Sequence, residues 1–317
     1  MDVKTAIRVV RNAFIAMARG WTVMPPKLYL PLPHGSDFRA MPAYLKRPAA
    51  CGVKWVNVHP HNRGRGLPTV MGVIVLNDPA TGVPIAVMDG RLVTKLRTAA
   101  SAAVAAQVLS RPNSRVVGLV GCGAQADAQL LALDQVRALS RVNVWGRTAG
   151  EAERFCARMR RRLPQVRMIP SGSVERCVRD ADLIVTVTPS RRPLVKRSWL
   201  RPGAHINAIG ADAPGKQELD PQILREALVV VDEREQAIHG GELNVPIRRG
   251  LFRSRQIHAT LGEILIGTRR ARRDSREITV FDSTGLAIHD IALGAEIVRR
   301  AVRRGVGRRI ALFALPV

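Results

Sequence analysis

Residues 116–126 read Val116-Val117-Gly118-Leu119-Val120-Gly121-Cys122-Gly123-Ala124-Gln125-Ala126. The apolar first half predicts a buried strand, and the second half has the spacing G-x-G-x-x-A where a helix is predicted to begin. In that pattern Gly121 permits a tight turn, Gly123 lets a pyrophosphate approach the backbone, and Ala126 permits close helix–strand packing. The helix N-terminus adds a positive end for phosphate. The stretch therefore predicts a dinucleotide-binding, Rossmann-type domain; the alternative is a glycine-rich turn in an α/β domain that binds another ligand.

Strands and helices alternate from residue 115 onward, which predicts a parallel sheet with right-handed crossovers. Just before this part, Pro112-Asn113-Ser114 interrupts the preceding helical pattern and indicates a domain boundary. The predicted strands are 116–120, 142–145, 166–169, 183–188, 205–209, 228–231 and 278–281.

The first 110 residues have a different pattern. An amphipathic helix is predicted over 3–18, and Asp89 is placed to cap an alanine-rich helix over about 91–110. Between them lie β-type segments separated by turn residues, at 27–32, 38–45, 53–58, 70–76 and 84–88. A last helix is predicted over 287–304. The predicted fold class is α/β, with a Rossmann-type parallel sheet domain and a second α+β domain whose sheet is mostly antiparallel.

Composition indicates a globular enzyme with two domains: 317 residues, 46% hydrophobic and 24% charged. The net charge is +25, but the arginines are spread along the chain, so nucleic-acid binding is not expected; the positive field would attract anionic substrates and cofactors. No apolar run approaches the ~18 residues of a membrane helix, and no secretion signal is recognisable. We therefore expect a cytoplasmic protein without membrane contact, whose four cysteines are free thiols.

The cofactor preference can be predicted from the end of the second Rossmann strand, Val144-Trp145-Gly146-Arg147-Thr148. An NAD-preferring site usually carries an acidic residue where Gly146 stands, to accept from the ribose 2′-hydroxyl. Arg147 with a small neighbour and the Thr148 hydroxyl suits a 2′-phosphate instead. NADP(H) is therefore favoured, and NAD(H) stays possible because Arg147 could be one more surface arginine.

Several further runs of the sequence match one family. They are Arg39-Ala40-Met41-Pro42, Gly52-Val53-Lys54-Trp55-Val56-Asn57, Leu96-Arg97-Thr98-Ala99-Ala100, Gly210-Ala211-Asp212-Ala213-Pro214-Gly215-Lys216 and Asp282-Ser283-Thr284-Gly285-Leu286-Ala287. With them the chain resembles the ornithine cyclodeaminase/mu-crystallin family, and within it most of all the alanine dehydrogenases of archaeal type. The resemblance implies a domain of residues 1–110 with 285–317 that binds substrate and forms a homodimer through its sheet, and a Rossmann domain of 111–284. The active site would lie between the domains.

Lys54 and Asp212 are the candidate catalytic residues. A lysine inside an apolar strand is expensive to bury without a partner, although Lys54 could also face water at a strand edge. Asp212 follows a strand whose carboxyl end is where α/β sheets bind ligands, although a turn-forming aspartate is the alternative. The resemblance makes Lys54 the catalytic lysine and Asp212 the general acid/base.

Three cations are candidates to bind a substrate carboxylate: Arg39, Arg97 and Lys27. Ornithine cyclodeaminases carry a glutamate at the place of Arg39, for the distal ammonium of ornithine, so Arg39 argues against that substrate. The other predicted cofactor-binding residues are Thr69, Thr98, Gly121, Gly123, Ala124, Gln125, Ala126, Arg147, Thr148, Thr188 and Ser283. The histidines are not spaced as a metal site, so no metal is expected.

The resemblance implies an NAD(P)H-dependent oxidoreductase that interconverts a small 2-oxo acid plus ammonia and an L-amino acid, as an alanine dehydrogenase does. Ala99 and the pair Gly146-Arg147 depart from alanine dehydrogenases and weaken that reading. The alternatives are a ketimine or cyclic imine reductase, an ornithine cyclodeaminase, which is a lyase, and a non-enzymatic cofactor-binding protein.

Overall fold

A computed structural model describes residues 1–148 and 150–310, with the backbone alone at Arg63. Residues 311–317 of the predicted first domain therefore lie outside the described residues. The helices are α1 Val3–Ala18, α2 Gly90–Leu109, α3 Ala126–Asp134, α4 Glu151–Arg162, α5 Val174–Val178, α6 Pro221–Glu226, α7 Arg234–Gly240, α8 Asn244–Arg248, α9 Leu261–Leu265 and α10 Ala287–Arg303. No helix of the described ranges is long and apolar enough to cross a membrane.

The first sheet is antiparallel and has the order β1-β3-β4-β5-β6, with β2 paired to β3. Successive side chains of a strand point to opposite faces. In β4, Lys54 and Val56 are buried on one face, and Trp55 between them is exposed on the other. The strands are β1 Thr22–Val23, β2 Leu28–Leu32, β3 Ser36–Lys46, β4 Ala49–Val58, β5 Val70–Asn77 and β6 Pro84–Asp89.

The second sheet is entirely parallel, with the order β13-β12-β14-β11-β10-β7-β8-β9. Its central strands are buried throughout, as expected for a parallel sheet covered on both faces. The strands are β7 Val116–Val120, β8 Arg141–Trp145, β9 Arg167–Pro170, β10 Leu183–Thr186, β11 His205–Ala208, β12 Leu228–Val231, β13 Ala259–Thr260 and β14 Thr279–Asp282.

Two helices join the sheets. The alanine-rich α2 is capped by the Asp89 side chain, as predicted, and packs on α1, α3 and both sheets, which its small side chains permit. In addition, Asn207 of β11 donates to the Ala102 carbonyl of α2 at 3.2 Å. The last strand, β14, leads directly into α10, which packs on β3, β4 and β5 of the first sheet.

The predicted fold class is confirmed, and the predicted long elements agree with the structure to within a few residues at their ends. The two-residue strands β1 and β13 were not predicted, because two residues are too few to show a periodic pattern.

Candidate active site

The turn after β7 has the geometry that its sequence predicts. Gly121 has φ +106°, and a Cβ there would lie 2.9 Å from the Val187 carbonyl oxygen and from Thr188 Cγ2, so only glycine fits. Gly123 has open space where its Cβ would be, which leaves its backbone accessible to a ligand. The following helix α3 begins at the buried Ala126.

A cavity of about 330 Å³ adjoins this turn, so the local geometry fits a dinucleotide phosphate. Three guanidinium groups border it, and Glu151 is the carboxylate among its lining residues. The lining residues are Gly121, Cys122, Gly123, Trp145, Arg147, Glu151, Arg154, Arg158, Val187, Thr188, Pro189, Ser190 and Leu194.

Gly146 cannot carry the acidic side chain of a typical NAD site. A Cβ there would lie 2.8 Å from Cys122 Sγ and 3.0 Å from Glu151 Cβ. Glu151 instead brings a carboxylate to this place from α4; its Oε2 accepts from the Thr148 backbone N–H at 3.3 Å. Hydrogen bonding from the Thr148 side chain and then from its backbone, followed by the charges of Arg147 and Arg154, lowers the pKa of Glu151.

A second cavity, of about 350 Å³, lies at the carboxyl ends of β11, β12 and β14, against the loop before β2. Lys27 reaches it from that loop and donates from Nζ to the Thr284 carbonyl at 2.6 Å. Burial lowers the pKa of Lys27 to about 8, although Asp232 and Asp212 oppose the shift. The lining residues are Pro26, Lys27, Tyr29, Asp212, Pro214, Glu235, Gln236, His239, Gly240 and Thr284.

Asp212 presents a carboxylate to this cavity between two cations. Arg39 Nη1 lies 3.0 Å from Asp212 Oδ2, and Lys216 Nζ pairs with the other oxygen. Desolvation would raise the pKa of Asp212, but Lys216 and Arg39 outweigh it and hold the pKa well below its usual range. Arg39 is itself fixed by Asp37 and stacks over the ring of Tyr29. The carboxylate is therefore ionised at neutral pH.

Lys54 is buried, and its ammonium lies 2.5 Å from Asp290 Oδ2. The other oxygen of Asp290 accepts from Arg97 Nε at 3.1 Å. Burial, followed by the charge of Arg97, lowers the pKa of Lys54 to about 7, and Asp290 opposes both effects. These three residues form the Lys54–Asp290–Arg97 cluster. The Arg97 guanidinium packs against Gly285, whose missing side chain leaves room for it, and the preceding residue Thr284 lines the second cavity.

The predicted site residues fall into groups. Lys27 and Asp212 line the second cavity, Arg39 contacts Asp212, and Gly121, Gly123, Arg147 and Thr188 line the first. Ala124, Gln125 and Ala126 form the start of α3, and Thr148 binds Glu151.

Among the described residues, Thr69, Thr98 and Ser283 are predicted cofactor-binding residues that line neither cavity and do not belong to the start of α3. Thr69 lies in the loop before β5, Thr98 donates to the Thr94 carbonyl of its own helix at 2.7 Å, and Ser283 donates its N–H to Ala208. Their cofactor roles stay predictions. In the described ranges no group of three or more histidine, cysteine, aspartate or glutamate side chains is arranged to hold a metal ion.

Sequence reasoning missed Asp290, Glu151, Arg154 and Arg158. Asp290 could have been noticed as an acidic residue among apolar residues at the start of α10, because a buried charge needs a partner. Arg154 and Arg158 are four residues apart, and this spacing places them on one face of α4.

The fold is α/β, and both its Rossmann-type sheet and its antiparallel sheet contribute residues to the candidate active site. The chain belongs to the ornithine cyclodeaminase/mu-crystallin family, whose model matches residues 1–305. It is 46% identical to the alanine dehydrogenase of Archaeoglobus fulgidus, over 98% of this chain and 94% of that protein.

Several solved structures are similar over nearly the whole chain, including two with a bound nicotinamide cofactor. One is an archaeal alanine dehydrogenase dimer with bound NAD, with a TM-score of 0.95 and 45% identity, covering 99% of this chain and 96% of that one. The other is the Delta(1)-pyrroline-2-carboxylate reductase of Thermococcus litoralis in complex with NADH and L-proline. Its TM-score is 0.95 at 33% identity, covering 98% and 96% of the two chains.

Proposed function

We propose that this chain is an NAD(P)H-dependent oxidoreductase that interconverts a small 2-oxo acid plus ammonia and the corresponding L-amino acid, as alanine dehydrogenase does. The observation that carries the proposal is the second cavity, where an ionised Asp212 faces Lys27 and adjoins the Lys54–Asp290–Arg97 cluster. The 46% identity to an alanine dehydrogenase supports it. The proposed division is a substrate-binding and dimerisation domain of 1–110 with 285–317, of which 311–317 lie outside the described residues, and a Rossmann domain of 111–284.

The residues of the first cavity fit a nicotinamide dinucleotide. The Gly121–Gly123 turn and the start of α3 would hold the pyrophosphate through backbone N–H groups. When bound, the nicotinamide supplies or accepts a hydride at the substrate carbon. The protein contributes orientation and charge around that carbon.

We propose that the preferred cofactor is NADP(H). Arg147, Arg154 and Arg158 border one cavity, and guanidinium groups match a 2′-phosphate in charge and geometry. Glu151 is the feature that favours NAD(H), because its carboxylate could accept from a ribose 2′-hydroxyl. Three cations against one anion favour the phosphate.

The substrate carboxylate would be bound by cations at the rim of the cluster. Arg97 uses Nε for Asp290, and its two Nη atoms make no hydrogen bond to described residues, so they can take a carboxylate as a pair. Lys27 can add a third donor from the cavity side. Asp212, ionised between Arg39 and Lys216, can accept a proton from the amino group in one direction and return it in the other.

Reduction of a preformed cyclic imine is the second candidate. A cavity of about 350 Å³ has room for a five-membered ring, and the Thermococcus litoralis structure holds L-proline. Arg39, beside Asp212, argues against a substrate with a distal ammonium group, as ornithine has.

We also propose a homodimer, formed through the outer face of the antiparallel sheet. This face exposes apolar side chains on three adjacent strands, Trp55, Val73 and Val87 among them, and an apolar patch of this kind is typical of a protein interface. The archaeal alanine dehydrogenase in the similar structure is a dimer.

The test is the oxidation of NADPH and NADH by the pure protein, given pyruvate with and without ammonium, and separately Delta(1)-pyrroline-2-carboxylate. Ammonium-dependent oxidation with pyruvate supports the amino-acid dehydrogenase. Faster turnover of the cyclic imine supports the second candidate, and absence of oxidation with either substrate contradicts both.

A further inference from the structure

Asp290 is a fully buried carboxylate that holds two cations from two other elements. Lys54 comes from β4, Arg97 from α2, and Asp290 itself from the first turn of α10. Its oxygens divide between them, 2.5 Å to Lys54 Nζ and 3.1 Å to Arg97 Nε. Without a carboxylate at this point, the two buried cations would repel each other in a medium of low polarity.

The charges of the cluster do not cancel. Two cations and one anion leave one positive charge when Lys54 is protonated, and none when it is neutral. A small 2-oxo acid or amino acid brings one carboxylate, which is the charge needed for neutrality. The position of Asp290 near the N-terminus of α10 further favours its ionised form.

We propose that Asp290 is a positioning residue: it fixes Lys54 and Arg97 for one substrate carboxylate and keeps Lys54 protonated so that the carboxylate can bind. This inference rests on the proposed function for its substrate class. Through Asp290, helix α10 would position the charged side chains that bind the substrate carboxylate.

Other charged groups also face Lys54. Arg97 and Lys27 disfavour its protonated form, and His289, next to Asp290, is buried against Phe14. The pKa of Lys27, about 8, is close to that of Lys54. However, the charges that act on Lys27 are those of Asp232, Asp212, Arg39 and Arg97, so a substitution at Asp290 should leave the pKa of Lys27 largely unchanged. The effect of Asp290 can therefore be separated from that of Lys27.

The test uses oxamate, an unreactive isostere of pyruvate, titrated into the full-length protein by calorimetry with cofactor present. With a Lys54 pKa of about 7, oxamate affinity of the wild type should fall about fourfold between pH 6 and 7.5, as the cluster loses its net charge. In Asp290→Asn, Lys54 loses its counter-anion and its pKa falls, so Arg97 alone binds oxamate and the affinity should change less than about 1.5-fold.

Kinetics give a second readout. The high-pH limb of kcat/KM should move at least about one pH unit lower in Asp290→Asn, and Asp290→Glu should restore it with a reduced kcat. Asp182→Asn is the matched control, because Asp182 pairs with Arg111 at 2.6 Å away from both cavities. It should leave the limb and the oxamate profile unchanged even where it lowers the melting temperature.

The outcomes are distinguishable. If Asp290→Asn folds and keeps the wild-type pH dependence in both assays, the inference is overturned. If Asp290→Asn does not fold, Asp290→Glu decides. A high-pH limb of kcat/KM at the wild-type pH, with a reduced kcat, supports the inference, and a limb displaced from the wild-type pH overturns it. A wild type that binds oxamate with the expected pH dependence but reduces no substrate contradicts the proposed function; loss of that pH dependence in Asp290→Asn then still supports the role of Asp290. A wild type that does not bind oxamate overturns both.

Discussion

Replacing Arg147 by alanine should change the cofactor preference. Arg147 is exposed at the rim of the first cavity, where Arg154 and Arg158 remain as further cations. A hydrogen bond to a charged group contributes about 1.5–3 kcal/mol. The proposed contact between Arg147 and the 2′-phosphate is exposed to solvent, so its contribution should lie at the lower end of that range. A loss of about 1.5 kcal/mol corresponds to about tenfold in Kd. NADPH should therefore bind about tenfold more weakly, while the Kd of NADH changes less than about twofold, because NADH lacks the 2′-phosphate.

The assay is the quenching of protein fluorescence by each cofactor, which needs no substrate. Arg161→Ala is the matched control, since Arg161 is an exposed arginine of the same helix as Arg154 and does not line the cavity. It should leave both Kd values in place. An equal weakening of NADPH and NADH by Arg147→Ala would refute a contact with the 2′-phosphate, and a selective loss of NADH would favour a site built for NAD around Glu151.

Three more outcomes follow from the structure. Asp212→Asn should lower kcat in steady-state kinetics by about 10²–10⁴-fold, with the cofactor Kd unchanged. Asp274→Asn, on an exposed turn, is the control and should have no effect. A kcat of Asp212→Asn within about threefold of wild type would contradict an acid/base role. His289 is buried, and neither ring nitrogen has a hydrogen-bond partner among the described residues. Burial lowers its pKa to about 3, so the unfolded state takes up the proton first as the pH falls below 6.5. Relative to His289→Phe, the free energy of unfolding of the wild type in urea should therefore fall by about 1.4 kcal/mol per pH unit from pH 6.5 to 4.5; a constant difference would show that His289 titrates normally. Val87→Lys, at a side chain 60% exposed on the outer face of the sheet, should yield monomers in sedimentation, and Val302→Lys on α10 should not; a dimer that survives Val87→Lys would place the interface elsewhere.

The parts of the site that could be predicted are those whose signal is local. The glycines after β7 predict the turn correctly, because the positive φ at Gly121 and the open space at Gly123 both depend on residues that are adjacent in the sequence. Lys54 stood out because a charge within an apolar strand needs a partner, and the structure supplies one. Periodicity in the same way predicted nearly all of the long helices and strands.

The partner of Lys54 could not be predicted, because Asp290 lies 236 residues further along the chain. The two residues meet only because α10 crosses back from the parallel sheet onto the antiparallel one. Glu151 was missed for a related reason. An NAD-preferring site usually carries its acid at the end of β8, where this chain has Gly146, whereas the structure brings a carboxylate to that place from the first turn of α4.

The central claim, net hydride transfer to a substrate carbon that bears nitrogen, is tested most directly with NADPH that carries deuterium at the reactive C4 position. Pyruvate with ammonium, or the cyclic imine, would be converted by the wild-type protein, and the amino-acid product examined by mass spectrometry. We expect one deuterium at Cα for each NADPH oxidised. L-Ornithine is supplied in a separate reaction. Conversion of ornithine to proline and ammonia without net change in the cofactor, with no deuterated amino acid formed from pyruvate or the imine, would show a recycled cofactor, as in a cyclodeaminase, and would contradict the account.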